Sequence, residues 1–575
     1  MDAQDEDNST YEIGLVMAGA VSAGAYAAGV VDFLIQALDE WHRAKAERPG
    51  EVPDHEVRLN VVAGSSAGGM TGAIAAGILN GDHRPVTSLP GTRPDENVRQ
   101  SNELYSAWVD QIGADPLLDD RDLSGPNATV RSLLDASILE DIAETAIDFD
   151  ARDETRAYVA DPMHLILTVT NLKGVPYDIS FQGNQGVPHR TARHTDYKEF
   201  ALSRTEPEAS EALWLNARDS TAAGWEALRE YALATGAFPG GLPPRPLRRE
   251  RADYEHRAWK VPLRPEDASA DRCWQQASIT PSWDASVRDE DEYRFLAVDG
   301  GAMNNEPFEL ARRKLAGADG FNPRSPDAAT RSVLMVDPFP SGPTIGQGTG
   351  AEDVLSVIQS LFGSLLTQAR FKPDEVMLAN SAEVYSRYMI VPTRRDQDGN
   401  KVEPAIASAT LNGFGGFVKK DFRMHDFQLG RRNCQQFLRK HFGIPVAACA
   451  DNPVFQHYSP DERARFSVET EAGEIMPIIP LVGSAQSEEH PLVWKTLQMN
   501  DQELSDLEQA VRERTRAVLN GMVDEYFDGW LLRKAGKLLA RKKVGSISDR
   551  IMNTVEEELT SVDLKQSPQR HEQRL

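Results

Sequence analysis

The chain has 575 residues, more than a single hydrophobic core usually serves, which predicts a large domain with an additional region. A hydrophobic content of 40% supports a buried core, while 26% charged residues and a mean hydropathy of -0.45 argue against an integral membrane protein. The formal net charge of -26 predicts long-range repulsion from nucleic acid and from anionic membranes. We therefore expect no nucleic-acid partner, and any lipid contact has to be local.

The cysteines and the amino terminus indicate a cytoplasmic protein. Cys273, Cys434 and Cys449 lie far apart without C-x-x-C spacing, which fits neither a disulfide framework nor a zinc site. The first ten residues are acidic, where a secretory signal needs basic residues followed by an apolar run. We expect no export signal.

Two strand-turn-helix units are predicted at the start of the chain. Residues 13–17 form an apolar strand that leads through a Gly-Ala loop into a helix over about 24–41, and residues 59–63 form a second strand followed by another helix. The windows 13–31 and 59–80 are nearly free of charge and almost long enough to span a bilayer. Because small residues and glycine turns interrupt both windows, we expect burial inside an α/β sheet instead.

Three later strands are predicted, at 164–170, 294–298 and 332–336. The last two are apolar enough to be buried on both faces. Strands that alternate with helices predict an α/β fold, in which a central and mostly parallel sheet carries helices on both sides.

The length of the chain predicts insertions and a second region. Polar segments at 183–220 and 245–292 are interpreted as surface insertions. We place an α/β domain at 1–345 and an appended, mainly helical region at 346–575. Helical patterns in this second region lie at 353–370, 501–519 and 521–543.

A nucleophile motif follows the second strand. Residues 64–68 read Gly-Ser-Ser-Ala-Gly, which fits G-x-S-x-G between an apolar strand and a helix. In such a turn Ser66 adopts a strained backbone that only small neighbours, Gly64 and Gly68, permit, and the helix amino terminus favours developing negative charge. Since G-x-S-x-G occurs often by chance, a glycine turn that merely packs the strand against the helix stays open on this motif alone.

The loop after the first strand offers oxyanion donors. Gly19, Ala20 and Val21 can point successive backbone N–H groups at a developing negative charge, and Gly24 opens the helix that follows. Dinucleotide binding is the alternative, but the glycines do not make G-x-G-x-x-G and no lysine follows to make a P-loop. We expect an oxyanion hole here, and no cofactor.

These residues resemble a known family. Residues 15–30, Leu-Val-Met-Ala-Gly-Ala-Val-Ser-Ala-Gly-Ala-Tyr-Ala-Ala-Gly-Val, are similar without gaps to the opening of patatin-like phospholipases, and the serine motif is similar too. Further similar motifs follow in the family's order, namely Ser-Leu-Leu-Asp at 132–135, Thr-Asn-Leu at 170–172, Ala-Thr-Gly-Ala-Phe-Pro at 234–239, Pro-Pro at 243–244 and Asp-Gly-Gly at 299–301. The resemblance covers about residues 12–340.

The resemblance implies a three-layer α/β/α fold and a lipid acyl hydrolase, a phospholipase or esterase, that works through an acyl-enzyme. Ser66 would be the nucleophile and Asp299 the base that accepts its proton directly. A carboxylate can do this only if burial tunes its pKa and its other oxygen is held, for which the Gly300 and Gly301 N–H groups are candidates.

The first loop departs from the family's pattern, which usually has three glycines and a basic residue. Here Ala20 and Val21 replace two glycines and Ala23 stands at the basic position, so we expect a tighter hole without a nearby cation. A residue with a side chain replaces glycine easily only where the backbone does not need a positive φ. The spacing from Ser66 to Asp299 is also longer than usual, which we attribute to the polar segments.

Two other functions stay open. An ordinary Ser-His-Asp hydrolase would use His457 or His490, but its serine should follow several strands, whereas Ser66 follows only the second. A lipid-binding effector or scaffold on the same fold would have lost turnover through its altered loop. Reactivity of the serine with a fluorophosphonate probe separates the enzyme from the scaffold.

A basic stretch lies near the carboxyl terminus, at about 530–543. Six basic residues alternate there with Trp530 and four leucines, namely Arg533, Lys534, Lys537, Arg541, Lys542 and Lys543. Contact with an anionic membrane and a solvated helix whose charges offset the macrodipole both stay open. The expected partners are a lipid or acyl ester substrate and, on the first interpretation, a membrane that the cytoplasmic protein contacts peripherally.

The segment 414–433 is dense in glycine, aromatic residues and arginine. We expect it to pack the helical region onto the sheet. The alternative is that its arginines line the substrate entrance and bind a phosphate.

Overall fold

The computed structural model describes residues 9–566 with gaps. The largest gap is 341–383, in which only Val357, Ser364 and Thr367 are described. The shorter gaps are 88–91, 95–100, 126–128, 183–186, 209–210, 256, 264–265, 267–273, 318–319, 397 and 528–529. Cys273, the domain boundary at 345 and nearly all of the predicted helix at 353–370 lie outside the described residues.

A nine-stranded sheet forms the centre of the protein. The strands in chain order are β1 (Thr10–Met17), β2 (Glu56–Gly64), β3 (Val159–Ile179), β4 (His189–Ser203), β5 (Leu213–Asn216), β6 (Arg245–Glu250), β7 (Ala258–Pro262), β8 (Trp274–Ser278), β9 (Glu292–Asp299), β10 (Arg331–Val336), β11 (Arg387–Ile390), β12 (Arg394–Arg395), β13 (Lys401–Val402), β14 (Gly443–Pro445), β15 (Val468–Thr470) and β16 (Gly473–Pro477).

The central sheet is mostly parallel. Its order is β11-β10-β1-β2-β3-β4-β5, with β9 paired to β3 and β6. The run from β11 to β3 is parallel throughout, as is the pair β4 and β5, while the contacts of β3 with β4, β3 with β9 and β6 with β9 are antiparallel. All five predicted strands are confirmed within it.

Helices occupy both faces of the sheet. The helices of seven or more residues are α1 (Gly24–Glu47), α2 (Ala67–Ile78), α3 (Ser137–Thr145), α4 (Ala223–Thr235), α5 (Phe308–Ala316), α6 (Lys420–Lys440), α7 (Pro460–Phe466), α8 (Asp501–Tyr526) and α9 (Trp530–Ser561). Short helical segments lie at Glu103–Tyr105, Ser106–Gln111, Ala114–Leu117, Ala285–Arg288 and Gly415–Val418. The helices predicted at 24–41 and 501–519 are confirmed. The helix predicted at 521–543 has different bounds, since residues 521–526 still belong to α8 and α9 begins at Trp530.

Alternate side chains of β1 enter two different cores. Leu15 and Met17 belong to the large core that includes α1 and α2, whereas Val16 belongs to a smaller core with Phe308 of α5. This is the two-residue period of a strand buried on both faces. The three-layer α/β/α fold is thereby confirmed.

The apolar amino-terminal windows are accounted for by burial. The helical stretch Val21–Glu47 is long and apolar enough to cross a membrane, but 94% of its apolar window is buried inside the protein. The described residues of 59–80 form β2, the serine turn and α2, which are also largely buried. Both windows are therefore core elements of the sheet and its covering helices.

The polar segments at 183–220 and 245–292 differ from the expected surface insertions. Each contributes strands to the central sheet, and three of their charged side chains, Asp196, Arg249 and Arg257, are paired in the interior. Asp196 of β4 is buried and accepts hydrogen bonds from Arg249 at 3.0 Å and from Arg257 at 2.5 Å. A buried charge persists only when it is paired, so the charged sequence here indicates an ion network within the sheet rather than a solvated loop.

Helix α6 crosses α1 so closely that their backbones touch. A Cβ at Gly29 would overlap the Phe427 carbonyl oxygen, and a Cβ at Gly430 would overlap the Tyr26 carbonyl oxygen. Glycine is required on both helices because the neighbouring atoms are backbone, which cannot rotate away. The segment after residue 414 therefore packs directly on the first helix, which supports the packing interpretation.

Arg431 pairs with acids from two distant segments beside this crossing. Its guanidinium contacts the Asp32 carboxylate and donates to Gln36 at 2.5 Å and to Glu489 at 2.7 Å, all in the interior. Although burial opposes it, Arg431 and His83 lower the pKa of Asp32 to about 2. Asp32 is thus ionised at neutral pH, and the Arg431 guanidinium is the main charge that stabilises it.

We predict that Gly430→Ala destabilises the protein. The new methyl group would meet the Tyr26 carbonyl, and overpacking of this kind costs about 1–3 kcal/mol. Gly545→Ala in α9 is the matched control, since nothing lies within 4 Å of its Cβ position. There alanine should raise the free energy of unfolding by up to about 1 kcal/mol. Urea denaturation of both variants checks this, and equal effects would contradict the close crossing.

Candidate active site

Ser66 occupies the sharp turn between β2 and α2. Its backbone has φ 51° and ψ -128°, a conformation that residues with side chains rarely adopt. The Ser66 N–H donates to Thr235 Oγ1 at 2.9 Å, which holds the turn from the side of α4. The hydroxyl thus stands at the carboxyl end of β2 and next to the amino terminus of α2, as the nucleophile motif predicts.

Gly64 and Gly68 are needed because backbones meet at this turn. A Cβ at Gly64 would lie 2.5 Å from the Gly68 carbonyl oxygen, and a Cβ at Gly68 would overlap the carbonyl oxygen of Met17. The turn after β2 is therefore pressed against the end of β1. This contact brings Ser66 beside the loop that begins at Ala18.

Asp299 ends β9 and faces the serine. Ser66 Oγ donates a hydrogen bond of 2.6 Å to Asp299 Oδ2, and the Gly301 N–H donates one of 2.7 Å to Oδ1. Gly301 is therefore an orienter of the carboxylate. Gly300 has a different role, since its Cβ would overlap Thr168 Oγ1 and the backbone of β3, so it allows β9 to end against that strand.

The environment of Asp299 makes it more basic than an ordinary carboxylate. Burial raises its pKa to about 6, against the opposing hydrogen bonds from Ser66 and Gly301, which favour the charged form. A carboxylate of this kind is still ionised at neutral pH and accepts a proton more readily than one on the surface.

The predicted oxyanion loop lies next to Ser66, but its three residues differ. The Gly19 N–H donates to the Asn305 carbonyl at 3.2 Å, so it is already engaged. The Ala20 and Val21 N–H groups have no acceptor among the described residues. Val21 adopts φ 48°, which costs a β-branched residue about 1–2 kcal/mol. A glycine would take this conformation without strain, so the departure from the family's loop has a structural cost.

An apolar cavity opens beside the serine. Its lining includes Val21, Ser66, Trp108, Leu134, Phe414 and Phe417, and apart from Ser66 the described lining side chains are aliphatic, aromatic or methionine. Gly24 is explained here as well, because a Cβ on it would overlap the Trp108 ring. The lining of the cavity thus suits a hydrocarbon chain.

The sequence motifs missed three residues of this site. Thr235 lies in a motif that resembles the family's, yet nothing in the motif showed that its hydroxyl accepts from the Ser66 N–H. Phe414 and Phe417 lie about 350 residues beyond the serine and reach it only through the crossing of α6 on α1. Their glycine-rich surroundings were the available signal, since a Cβ at Gly416 would lie 2.7 Å from Ser22 Oγ, so this close contact with the first loop needs glycine.

The late histidines are paired elsewhere or not in contact with the serine. His457 is partly exposed, and its Nε2 lies 3.0 Å from Asp54. His490 follows Glu489, which binds Arg431. Within the described residues, the hydroxyl of Ser66 has Asp299 as its hydrogen-bond acceptor and no histidine partner.

Comparisons with known proteins show the family of the chain. The family model described as Patatin-like phospholipase matches residues 15–312, more than half of the chain. Uncharacterized protein y4iI of Sinorhizobium fredii (strain NBRC 101917 / NGR234) is 36% identical over 535 residues, which cover 86% of this chain and 74% of that protein. The crystal structure of VipD from Legionella pneumophila covers 97% of this chain and 88% of its own at 11% identity, with a TM-score of 0.23 that is too low to indicate a relationship. By the family match, the chain belongs to the patatin-like phospholipase family, a family of lipid hydrolases.

Proposed function

We propose that the chain hydrolyses carboxylic esters of lipids through Ser66 and Asp299. The observation that carries this proposal is the 2.6 Å hydrogen bond from Ser66 Oγ to Asp299 Oδ2 at the edge of an apolar cavity. A strained serine and a buried carboxylate of raised pKa lie here beside two backbone N–H groups that have no acceptor in the described part of the chain. Together they supply a nucleophile, a base and an oxyanion hole.

Acylation would proceed in two proton transfers. Asp299 Oδ2 takes the hydroxyl proton as Ser66 Oγ attacks the ester carbonyl carbon, and the Ala20 and Val21 N–H groups stabilise the oxyanion of the tetrahedral intermediate. The bond from the carbonyl carbon to the alcohol oxygen then breaks, and the departing oxygen takes the proton from Asp299. The products of this half are the free alcohol and an acyl ester of Ser66.

Deacylation would repeat the cycle with water. Asp299 accepts a proton from the attacking water, whose oxygen bonds to the acyl carbon. The intermediate collapses with release of Ser66 Oγ, which recovers its proton from Asp299. The fatty acid leaves and the site returns to its starting state without a cofactor.

We predict that Ser66→Ala and Asp299→Asn both silence the enzyme. Alanine removes the nucleophile, and asparagine is nearly isosteric but cannot accept a proton, a loss that typically costs about 10² to 10⁴ in rate. Hydrolysis of a soluble short-chain ester and labelling by a fluorophosphonate probe measure both effects. Circular dichroism verifies that the variants fold.

The controls for this test are His457→Ala and His490→Ala, which should leave turnover and labelling near the parent values. If either histidine variant lost both while Asp299→Asn kept them, a Ser-His-Asp mechanism would replace the dyad. If the parent protein failed to label at all, the lipid-binding scaffold would be the better description.

We predict that kcat/KM rises with pH and reaches half its maximum near pH 6. The pKa of Asp299 is raised to about 6, so below that pH the carboxyl group is protonated and cannot serve as the base. The rate should fall about tenfold for each further pH unit. A profile between pH 4.5 and 9 on a soluble ester measures this, and a rate that stays level from pH 7 down to pH 5 would contradict a base whose pKa is raised to about 6.

We predict that Phe417→Ala shifts preference toward longer acyl chains. The cavity holds about 40 Å³ of free space, whereas an engineered cavity that accepts benzene measures about 150 Å³. A long chain therefore needs movement of lining side chains, and removing one phenyl ring supplies part of that space. The ratio of kcat/KM for long over short esters should rise at least about tenfold, equivalent to roughly 1.4 kcal/mol.

Phe181→Ala is the matched control, because Phe181 is exposed and does not line the cavity. It removes the same ring from the surface and should leave the ratio unchanged. An equal ratio in both variants would mean that acyl chains bind elsewhere.

A further inference from the structure

Helices α8 and α9 form an antiparallel pair, which we call the helical hairpin. Lys537 of α9 pairs with Asp524 of α8 at 2.7 Å, and Arg512 of α8 lies 3.4 Å from Asp549 of α9. Ala540 and Val544 of α9 are buried. One face of α9 therefore packs on α8, and the amino-terminal half of α9 lies at the tip of the hairpin.

The tip of the hairpin exposes large apolar side chains. The exposed fractions are 71% for Trp530, 58% for Leu532, 59% for Leu538 and 64% for Leu539. Leu532 and Leu539 are seven residues apart and so share one face of the helix. Single exposed leucines need no explanation, but a group that includes a tryptophan on one helix marks an interaction site.

Basic groups surround these side chains. Residues 530–543 contain six basic and no acidic residues, in a chain of net charge -26. Lys542 and Lys543 follow Leu538 and Leu539 by four residues, so each ammonium group lies one turn away on the same face. Within the described residues, neither lysine has an ion-pair partner. We call the three exposed leucines and these two lysines the docking face, and Trp530 lies outside it at the tip of the hairpin.

The hairpin is attached beside the acyl cavity. The Arg514 guanidinium of α8 donates to the Leu133 carbonyl at 2.8 Å and pairs with Asp122 at 2.5 Å. Leu134, the next residue, lines the cavity, while Leu133 itself is half exposed. The same segment that bounds the cavity thus holds the hairpin.

We propose that the docking face binds the surface of an anionic lipid bilayer and brings the cavity to its substrate. Leucine side chains enter the boundary of the acyl chains, and the lysine ammonium groups meet lipid phosphates and carboxylates. The acidic body of the protein does not prevent this, because charges more than about 8 Å apart are screened at physiological ionic strength. Binding of the docking face to a membrane does not depend on the proposed function. Only the delivery of substrate to the cavity rests on the proposed function.

The test uses the full chain carrying Ser66→Ala, so that no lipid is consumed. Co-sedimentation is measured with vesicles of phosphatidylcholine alone and with about 30 mol% phosphatidylserine, where each basic residue is worth about fivefold in partitioning. We expect binding to the anionic vesicles only. Lys542→Glu with Lys543→Glu, and separately Leu538→Ser with Leu539→Ser, should each weaken it at least about tenfold.

The matched control is Lys401→Glu with Lys440→Glu, which changes the net charge by the same amount at exposed lysines outside the hairpin. It should bind like the parent. Equal binding of the hairpin variants and the parent, or no binding to anionic vesicles, would overturn the proposal. So would a dimer, detected by light scattering, that the leucine variant dissociates.

Docking and catalysis fail in different measurements. With Ser66 intact, the hairpin variants should hydrolyse a soluble ester at the parent rate but lose at least about tenfold on anionic vesicles. Vesicle binding without hydrolysis of any ester would refute the proposed function and leave docking intact. Equal hydrolysis of vesicle lipid by parent and hairpin variants would refute docking and leave the proposed function intact.

Discussion

The contact between the ends of β1 and β2 is the constraint on which the site depends. The turn around Ser66 lies so close to the Met17 carbonyl that Gly68 has no room for a side chain. Two parallel neighbours that end at the same level bring the turn that follows each of them together. Ser66 from one strand and the N–H groups that follow the other would therefore come within reach of the same ester carbonyl in the proposed reaction. Asp299 lies beside them because β9 ends at the same edge of the sheet.

The sequence predicted the features of the fold and site that depend on residues close together in the chain, and it missed those that depend on distant residues. The strands, the serine turn and the aspartate were predictable because each is a short pattern in which apolar runs give way to glycine. Thr235 and Phe417 reach Ser66 through packing between segments far apart in the chain, which no local pattern reports. The strands near Asp196 were mistaken for surface loops because ion pairs across a sheet leave the same charged sequence as solvation does.

The buried aspartate links the proposed chemistry to the stability of the fold. The pKa of this carboxyl group rises on folding from 3.8 to about 6, so its ionised form destabilises the folded state and its protonated form does not. Below pH 3.8 the burial of Asp299 costs nothing through ionisation, and above pH 6 the full cost applies, on the order of 3 kcal/mol. The strained Val21 adds to this cost. A site that is ready to accept a proton at neutral pH is therefore also a weak point of the folded protein at that pH.

The glycine crossing of α1 and α6 has a consequence for how such a chain can change over generations. Recombination that exchanged everything after residue 345 for an unrelated sequence would leave Asp32 in an apolar interior without Arg431, and Gly29 facing a groove with nothing to fill it. The two regions therefore have to be inherited together, as two subunits of an obligate complex are, even though the motifs that resemble the family all lie before residue 302. The amino-terminal domain thus depends on the carboxyl-terminal region for its own folded core.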